Sequence, residues 1–233
     1  MWWISLRGEY QSVAKLYFRF GAMNSGKSTA LLQAAHNYEE RGQRVILAKP
    51  MIDTKGDRTI VSRLGVAREV DLIIGPSTDV VNMIDNEADV IARQTGESIA
   101  CVLVDESQFL SPRQVDDLFI IAIRRNIPVL AYGIRTDFQT VAFPGSRRLL
   151  EIAHSLEELK TICRCGRKAV FNTRKVNGQF VFDGAQVAID GGEVTYESLC
   201  GECYLNESGG RLASGYVPQE TVHELAEPDP DFS

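Results

Sequence analysis

The run Gly21-Ala22-Met23-Asn24-Ser25-Gly26-Lys27-Ser28 carries the full G-x-x-x-x-G-K-[ST] pattern. Its glycines allow a loop tight enough for successive backbone N–H groups to converge on phosphate oxygens, and the positive end of a following helix adds to that field. Lys27 then reaches the β- and γ-phosphates, and the Ser28 hydroxyl is placed to ligate Mg²⁺. A chance glycine-rich turn is the competing reading. An apolar run before the loop and a helical pattern after it argue against that.

A phosphate loop needs an acidic partner for the metal. Ala100-Cys101-Val102-Leu103-Val104 is a continuous apolar run that ends in Asp105-Glu106. Asp105, at a strand end, faces Mg²⁺ directly or through water. Glu106 comes next and points beyond the γ-phosphate, where a carboxylate suits a general base acting on water or a substrate hydroxyl. The alternative is an acidic cluster at a helix N-terminus. These residues spell nucleotide phosphoryl transfer and say nothing about the acceptor.

Cys163-Arg164-Cys165 and Cys200-Gly201-Glu202-Cys203 flank a glycine-bearing, hairpin-like segment. Two such pairs fit a tetrahedral structural Zn²⁺ with four thiolates, which leaves no open position for water. The C-x-C half is tighter than the usual C-x₂-C, and free buried thiols are the other reading. Such an ion holds the loop from about Arg174 to Tyr196. Cys101 stands apart inside an apolar run and reads as core.

These groups need a scaffold. Leu16–Phe20 reads as a strand running into Gly21. A helix is expected from Lys27, with Ala30, Leu31, Ala34, Ala35 and Tyr38 at near-helical spacing and Gly42 as its stop. Val45–Ala48 is a second strand, closed by Pro50; Val80, Ile84, Ala88 and Ile91 mark another helix. Ala100–Val104 reads as a strand buried on both faces. Pro112 opens a helix running to about Arg125, and Pro128–Tyr132 is the next strand. Strands separated by helices predict an α/β fold of the P-loop (RecA-like) kind. Its sheet is mostly parallel, flanked by helices, with ligands at the carboxyl ends of the strands and a small zinc-bearing domain added. The expected organisation is an extension at 1–14, a nucleotide-binding domain at 15–158, the cysteine-bearing domain at 159–205 and a mobile tail at 206–233.

Composition narrows the classes. The chain has 233 residues, 44% hydrophobic and 24% charged, ordinary for a globular protein. Its longest apolar stretch, Leu118–Ile123, is far short of the roughly 20 residues of a membrane span. The first residues lack the apolar centre of a secretory signal, and five cysteines then suit a reducing compartment, so a cytoplasmic location is expected. A net charge of −6 and a pI near 5.2 disfavour a protein that coats nucleic acid.

The phosphate loop, the run Val102–Phe109 (VLVDESQF), the segment Tyr132–Phe138 (YGIRTDF) and the cysteine pairs, in this order, resemble the type II thymidine kinases. Glu158–Ala169 is particularly similar to bacterial members. The resemblance spans roughly Lys15 to Tyr204. It implies ATP-dependent transfer to the 5′-hydroxyl of thymidine or deoxyuridine, in a homotetramer inhibited by dTTP, with no nucleic-acid or membrane partner. It makes 15–158 the kinase domain and 159–205 a zinc-bearing lasso domain that closes over the nucleoside. Carried over by residue, Gly21–Ser28 form the ATP loop, and Asp105, Ser107 and Gln108 fall where nucleotide is also contacted. Glu106 becomes the proton acceptor. Met23, Phe109, Ile134 and Phe138 shape the thymine pocket, with Phe138 stacking. Val187, Ile189 and Tyr196 belong to the lasso, where backbone groups read the base.

Two positions depart from the family pattern. Asp53-Thr54-Lys55 stands where Asp-x-Arg is frequent, which leaves Lys55 or Arg58 in that role; a lysine lacks the bidentate fork of arginine. Asp190 precedes Gly191-Gly192 where an aliphatic residue is usual. In-line transfer follows from this reading, with Arg58 or Arg174 adding charge near the transferring group. The rival is a nucleic-acid-stimulated P-loop ATPase whose zinc module grips DNA, disfavoured by the acidic balance. A binding-only nucleotide sensor is a third reading, disfavoured because Glu106 adjoins the metal carboxylate.

Overall fold

The computed structural model describes residues 13–51, 58–184 and 193–215. The chain runs β1 (Leu16–Phe20), α1 (Lys27–Glu39), β2 (Arg44–Pro50), β3 (Thr59–Val61), β4 (Ala67–Glu69), β5 (Leu72–Ile74), α2 (Val80–Thr95) and β6 (Ile99–Val104). It continues as α3 (Pro112–Arg124), β7 (Val129–Gly133), α4 (Pro144–Ile152), β8 (Ser155–Glu158), β9 (Thr161–Ile162) and β10 (Lys168–Ala169). Last come β11 (Phe171–Val176), β12 (Gln179–Val181), β13 (Val194–Leu199) and α5 (Gly201–Ser208).

A six-stranded parallel sheet, ordered β5-β2-β6-β7-β1-β8, forms the frame. β6 explains its own position. Val102 and Val104 enter one core with Ile84, Leu118 and Leu149, while Cys101 and Leu103 enter the other with Leu31 and Ala35. A strand apolar on both sides is stable only between two helical layers. α1 covers one face; α2, α3 and α4 cover the other. The remaining strands make a β9–β10 hairpin, a β3–β4 hairpin and a three-stranded antiparallel sheet, β12-β11-β13, against which α5 packs. No helix among the described residues is long and apolar enough to cross a membrane.

The helix starts separate scaffold from site. Asp79 caps α2 by accepting from the Asn82 N–H, and Ser111 with Gln114 forms a capping box on α3 behind Pro112. α1 has no such cap: Gly26 precedes it in the left-handed region at φ 79° with no side chain on the first N–H groups. Those orphan donors face the loop.

Several expectations needed adjusting. The second strand runs through Pro50, which pairs only with β5, because the last β2–β6 pair is Ala48 with Val104. Pro50 therefore breaks no ladder bond to β6. The elements β3 to β5, α4 and β8 to β13 had no counterpart in the sequence reading; β3, β4, β5, β8, β9, β10 and β12 are too short to show a period, and α4 opens with Pro144-Gly145. The tail expected from 206 does not begin there. Asn206 to Ser208 complete α5, and the buried Ser208 hydroxyl has the carbonyls of Arg211, at 3.2 Å, and Leu205, at 3.4 Å, as acceptors within reach of its one proton. The extension at 1–14 and the rest of the tail lie outside the described residues, apart from 13–14 and 209–215.

Gly145 lets α4 approach the 3₁₀ turn Ser107–Phe109. A Cβ there would stand 2.5 Å from the Ser107 carbonyl oxygen and 2.7 Å from that of Leu110, both backbone atoms with nowhere to go. Gly145→Ala is expected to lower unfolding free energy by about 1–3 kcal/mol, the usual cost of overpacking, in urea denaturation.

Candidate active site

The phosphate loop follows β1 and the two carboxylates follow β6, with only β7 between them in the sheet. Because all three strands are parallel, their carboxyl ends share one edge. The Ser28 hydroxyl lies 3.3 Å from Asp105 Oδ2 and donates to it, joining the start of α1 to the end of β6. The Glu106 N–H donates to Asp105 Oδ1 at 3.0 Å. Burial pushes the Asp105 carboxyl up to about 6, with the neighbouring Glu106 charge adding to the rise; the two hydrogen bonds and Lys27 oppose it. Burial likewise lowers the Lys27 ammonium, against the pull of Glu106 and Asp105. Lys27 Nζ donates to the Ala22 carbonyl at 2.9 Å.

Glu106 adopts φ 50°, ψ 34°, a left-handed conformation unusual for a residue with a side chain. Neighbours hold it there. Gln108 Nε2 donates to Glu106 Oε2, while Gln108 Oε1 accepts the Ile134 N–H at 3.2 Å. Gly133 permits that packing: a Cβ would stand 2.7 Å from Gln108 Oε1. Strain concentrated in a cleft carboxylate is frequent where a side chain must be aimed.

A cleft of about 360 Å³ opens at this edge. Of the phosphate-loop residues, Met23, Asn24, Gly26, Lys27 and Ser28 line it; Gly21, Ala22 and Ser25 stand behind. Glu106, Gln108, Phe109, Ile134, Phe138 and Tyr196 line the same cleft. Asp105 reaches the site through Ser28. Ser107 does not line it, because its fully buried hydroxyl donates to the Tyr132 carbonyl at 2.8 Å. Val187 and Ile189, with the departures at Lys55 and Asp190, lie outside the described residues.

Lining residues that sequence reasoning missed are Thr29, Val61, Arg63, Asp137, Phe143 and Asn172. Phe143 meets Phe109 edge-on, ring centres 5.4 Å apart. Arg63 and Lys27 are the two basic side chains lining the cleft among the described residues. The arginines expected near the transferring group are engaged elsewhere. Arg58 donates to the carbonyls of Val70 and Asp71, and Arg174 lies 3.8 Å over the Phe138 ring and donates to the Asp183 carbonyl. Arg63 lies in the turn between β3 and β4, two residues past the end of β3, where no strand period carried a signal for it. Ile60 and Ser62 are buried, while Val61 and Arg63 line the cleft.

The four paired cysteines converge. Their sulfurs all lie within 4.8 Å of one another, Cys163 and Cys200 buried, so the cluster can hold a metal ion. The Cys203 N–H, foremost, draws the Cys200 thiol down to about 7. Cys101 is buried alone in β6, its thiol pushed up to about 12 by burial, in keeping with a core role.

A doubly covered parallel sheet with a phosphate loop on one strand end and a carboxylate pair on a near neighbour defines a P-loop α/β protein. A family model for thymidine kinase matches residues 14–204. The chain is 46% identical over 206 residues to a thymidine kinase of Ruegeria pomeroyi, covering 88% of this chain and all of that protein. It is 47% identical over 197 residues to one of Chromobacterium violaceum, covering 84% and 100%. For one of Legionella pneumophila (strain Lens) the identity is 45% over 205 residues, covering 87% and 95%. The chain belongs to the thymidine kinase family.

The raised Asp105 has a definite sign. Its folded value of about 6 stands above the ordinary 3.8, so the native state binds the proton more tightly than the unfolded chain. Its contribution to stability is full below about 4 and is lost as pH rises through 6. Asp105→Asn is therefore expected to be more stable than the parent at pH 7.5 without nucleotide, by about 1 kcal/mol or more, with the gap closing towards pH 4 in urea unfolding.

Proposed function

We propose that this chain is an ATP:thymidine 5′-phosphotransferase, moving the γ-phosphate of ATP to thymidine or deoxyuridine in deoxynucleotide salvage. One observation carries it. The proton acceptor Glu106, the phosphate-loop Lys27 and five of the seven residues assigned to the nucleoside share a single cleft.

In the proposed site the triphosphate lies on the loop N–H groups and Lys27. Mg²⁺, held by Ser28 and reached by Asp105, neutralises charge on the β- and γ-oxygens when bound. Glu106 accepts the hydrogen bond and finally the proton of the nucleoside 5′-hydroxyl. Gln108 and the Ile134 N–H keep that carboxylate aimed. Since phosphoryl transfer passes through a loose transition state, positioning contributes more than base strength. Arg63 takes the role first given to Arg58 or Arg174, placing positive charge at the transferring group. Thymine sits among Met23, Phe109, Ile134 and Phe138, covered by Tyr196 with Val187 and Ile189. Ser107 acts behind the site, by fixing the turn.

Residues 15–158 are the proposed kinase domain and 159–205 the lasso domain. Zn²⁺ is the proposed ion of the cysteine cluster: Zn–S bonds of ~2.3 Å imply sulfurs roughly 3.8 Å apart, within the observed spread. A cytoplasmic homotetramer under feedback inhibition by dTTP belongs to the same reading.

Incubation with Mg²⁺, ATP and a nucleoside panel should give product with thymidine and deoxyuridine. ATP hydrolysis stimulated by single-stranded DNA, without nucleoside phosphorylation, would refute the assignment. Glu106→Gln should lower kcat by about 10²–10⁴-fold with ATP affinity little changed; near-parental turnover removes Glu106 from its role. Arg63→Ala should lower kcat by about 10²-fold, the scale of one lost transition-state donor. Unaltered kcat would return the charge to another group.

A further inference from the structure

Three of the stretches that wall the cleft are far apart in sequence: the phosphate loop, the segment after β7, and the β12-β11-β13 sheet. They meet at one residue. The Met23 N–H donates to Asn172 Oδ1 at 2.7 Å, and the Met23 carbonyl accepts from the Ser198 hydroxyl. Asn172 and Ser198 are direct cross-strand partners in the β11–β13 register. Asn172 Nδ2 also donates to the Thr136 carbonyl at 2.8 Å. One amide thus ties the phosphate loop to the segment that carries Ile134 and Phe138.

Both clamp residues are buried, at 3% and 7% exposure. With the N–H and the C=O of Met23 both held, the peptide groups on either side of it are fixed, and neither can turn without leaving buried polar groups unpaired. The far side of the clamp is fixed as well. β13 ends at Leu199, next to Cys200, and Tyr204, next to Cys203, donates its hydroxyl to the Phe138 carbonyl at 2.8 Å. Met23 itself lines the cleft, and the loop N–H groups assigned to phosphate follow it. A shift of the antiparallel sheet or of the Thr136 segment must therefore move the loop with it.

We propose that Asn172 and Ser198 form a positioning clamp through which the nucleoside site and the phosphate loop are energetically coupled, so that filling one tightens the other. This rests on the thymidine kinase reading. Both polar atoms of the Asn172 amide are spent on protein backbone, so it acts through Met23 and Thr136, as Ser198 acts through Met23.

The test is titration calorimetry of the full chain with a non-hydrolysable ATP analogue and Mg²⁺, with and without saturating thymidine. In the parent, thymidine should tighten analogue binding by about fivefold or more, the usual scale of linked sites. Asn172→Ala and Ser198→Ala should each bring that factor within about twofold of unity, while zinc content stays parental and each variant remains folded at the assay temperature, its melting point lower by several degrees for the buried hydrogen bonds lost. Ser198→Thr, which keeps the hydroxyl, should retain the parental factor. Should Asn172→Ala fail to fold, the Ser198 pair decides. Independent binding in the parent, or parental coupling in both alanine variants, overturns the clamp. A parent that binds the analogue but no thymidine removes the underlying thymidine kinase reading instead.

Discussion

A carboxylate buried at the end of a strand covered on both faces is the constraint around which this molecule is organised. Asp105 is 5% exposed, and a charge so placed is tolerable only with partners. The structure supplies them from two directions, the Glu106 N–H in sequence and the Ser28 hydroxyl across the sheet. The second requires the start of α1 to stand beside the end of β6. Parallel strands meet that requirement at no extra cost in chain, since every one of them delivers its following loop to the same edge. The raised proton affinity of Asp105 follows first from this burial.

Glu106 shows how such an edge aims a side chain. Its left-handed backbone is held through Gln108, and Gln108 is held by the N–H that follows β7. The neighbouring strand thus decides the direction of a carboxylate on another. Gly133 and Gly145 keep the two approaches short enough, because a Cβ at either would meet Gln108 or the turn backbone. The carboxylate is preorganised by packing.

The antiparallel sheet solves a different problem. Its buried cluster is Cys163, Ala169, Leu199, Cys200 and Tyr204, too small a core to hold its geometry by burial alone. Four convergent sulfurs able to hold a metal ion sit beside it. What this sheet and α5 position is useful at a distance: Tyr196 as a cleft wall, Asn172 and Ser198 on Met23, and Tyr204 on the Phe138 carbonyl.

Residue order alone determined the parts whose physics is local. The glycine spacing and the lysine of the loop, the apolar run ending in Asp105-Glu106, the paired cysteines, the existence of α2 and the bounds of β1 and α3 rest on interactions within a few residues, and they were legible. The joint order of those motifs was enough to point to a family. Tertiary structure alone decided which groups face the cleft. Arg58 and Arg63 are both basic and close in sequence, yet the β3–β4 pairing sends one to backbone carbonyls and the other to the site. Ser107 sits within the run that carries the carboxylates, yet a turn directs it to Tyr132. Asn172 meets Met23 across 149 positions, a separation over which no periodicity or propensity carries information. Contacts of that kind are set by the sum of the packing, and they become visible only when the chain has closed.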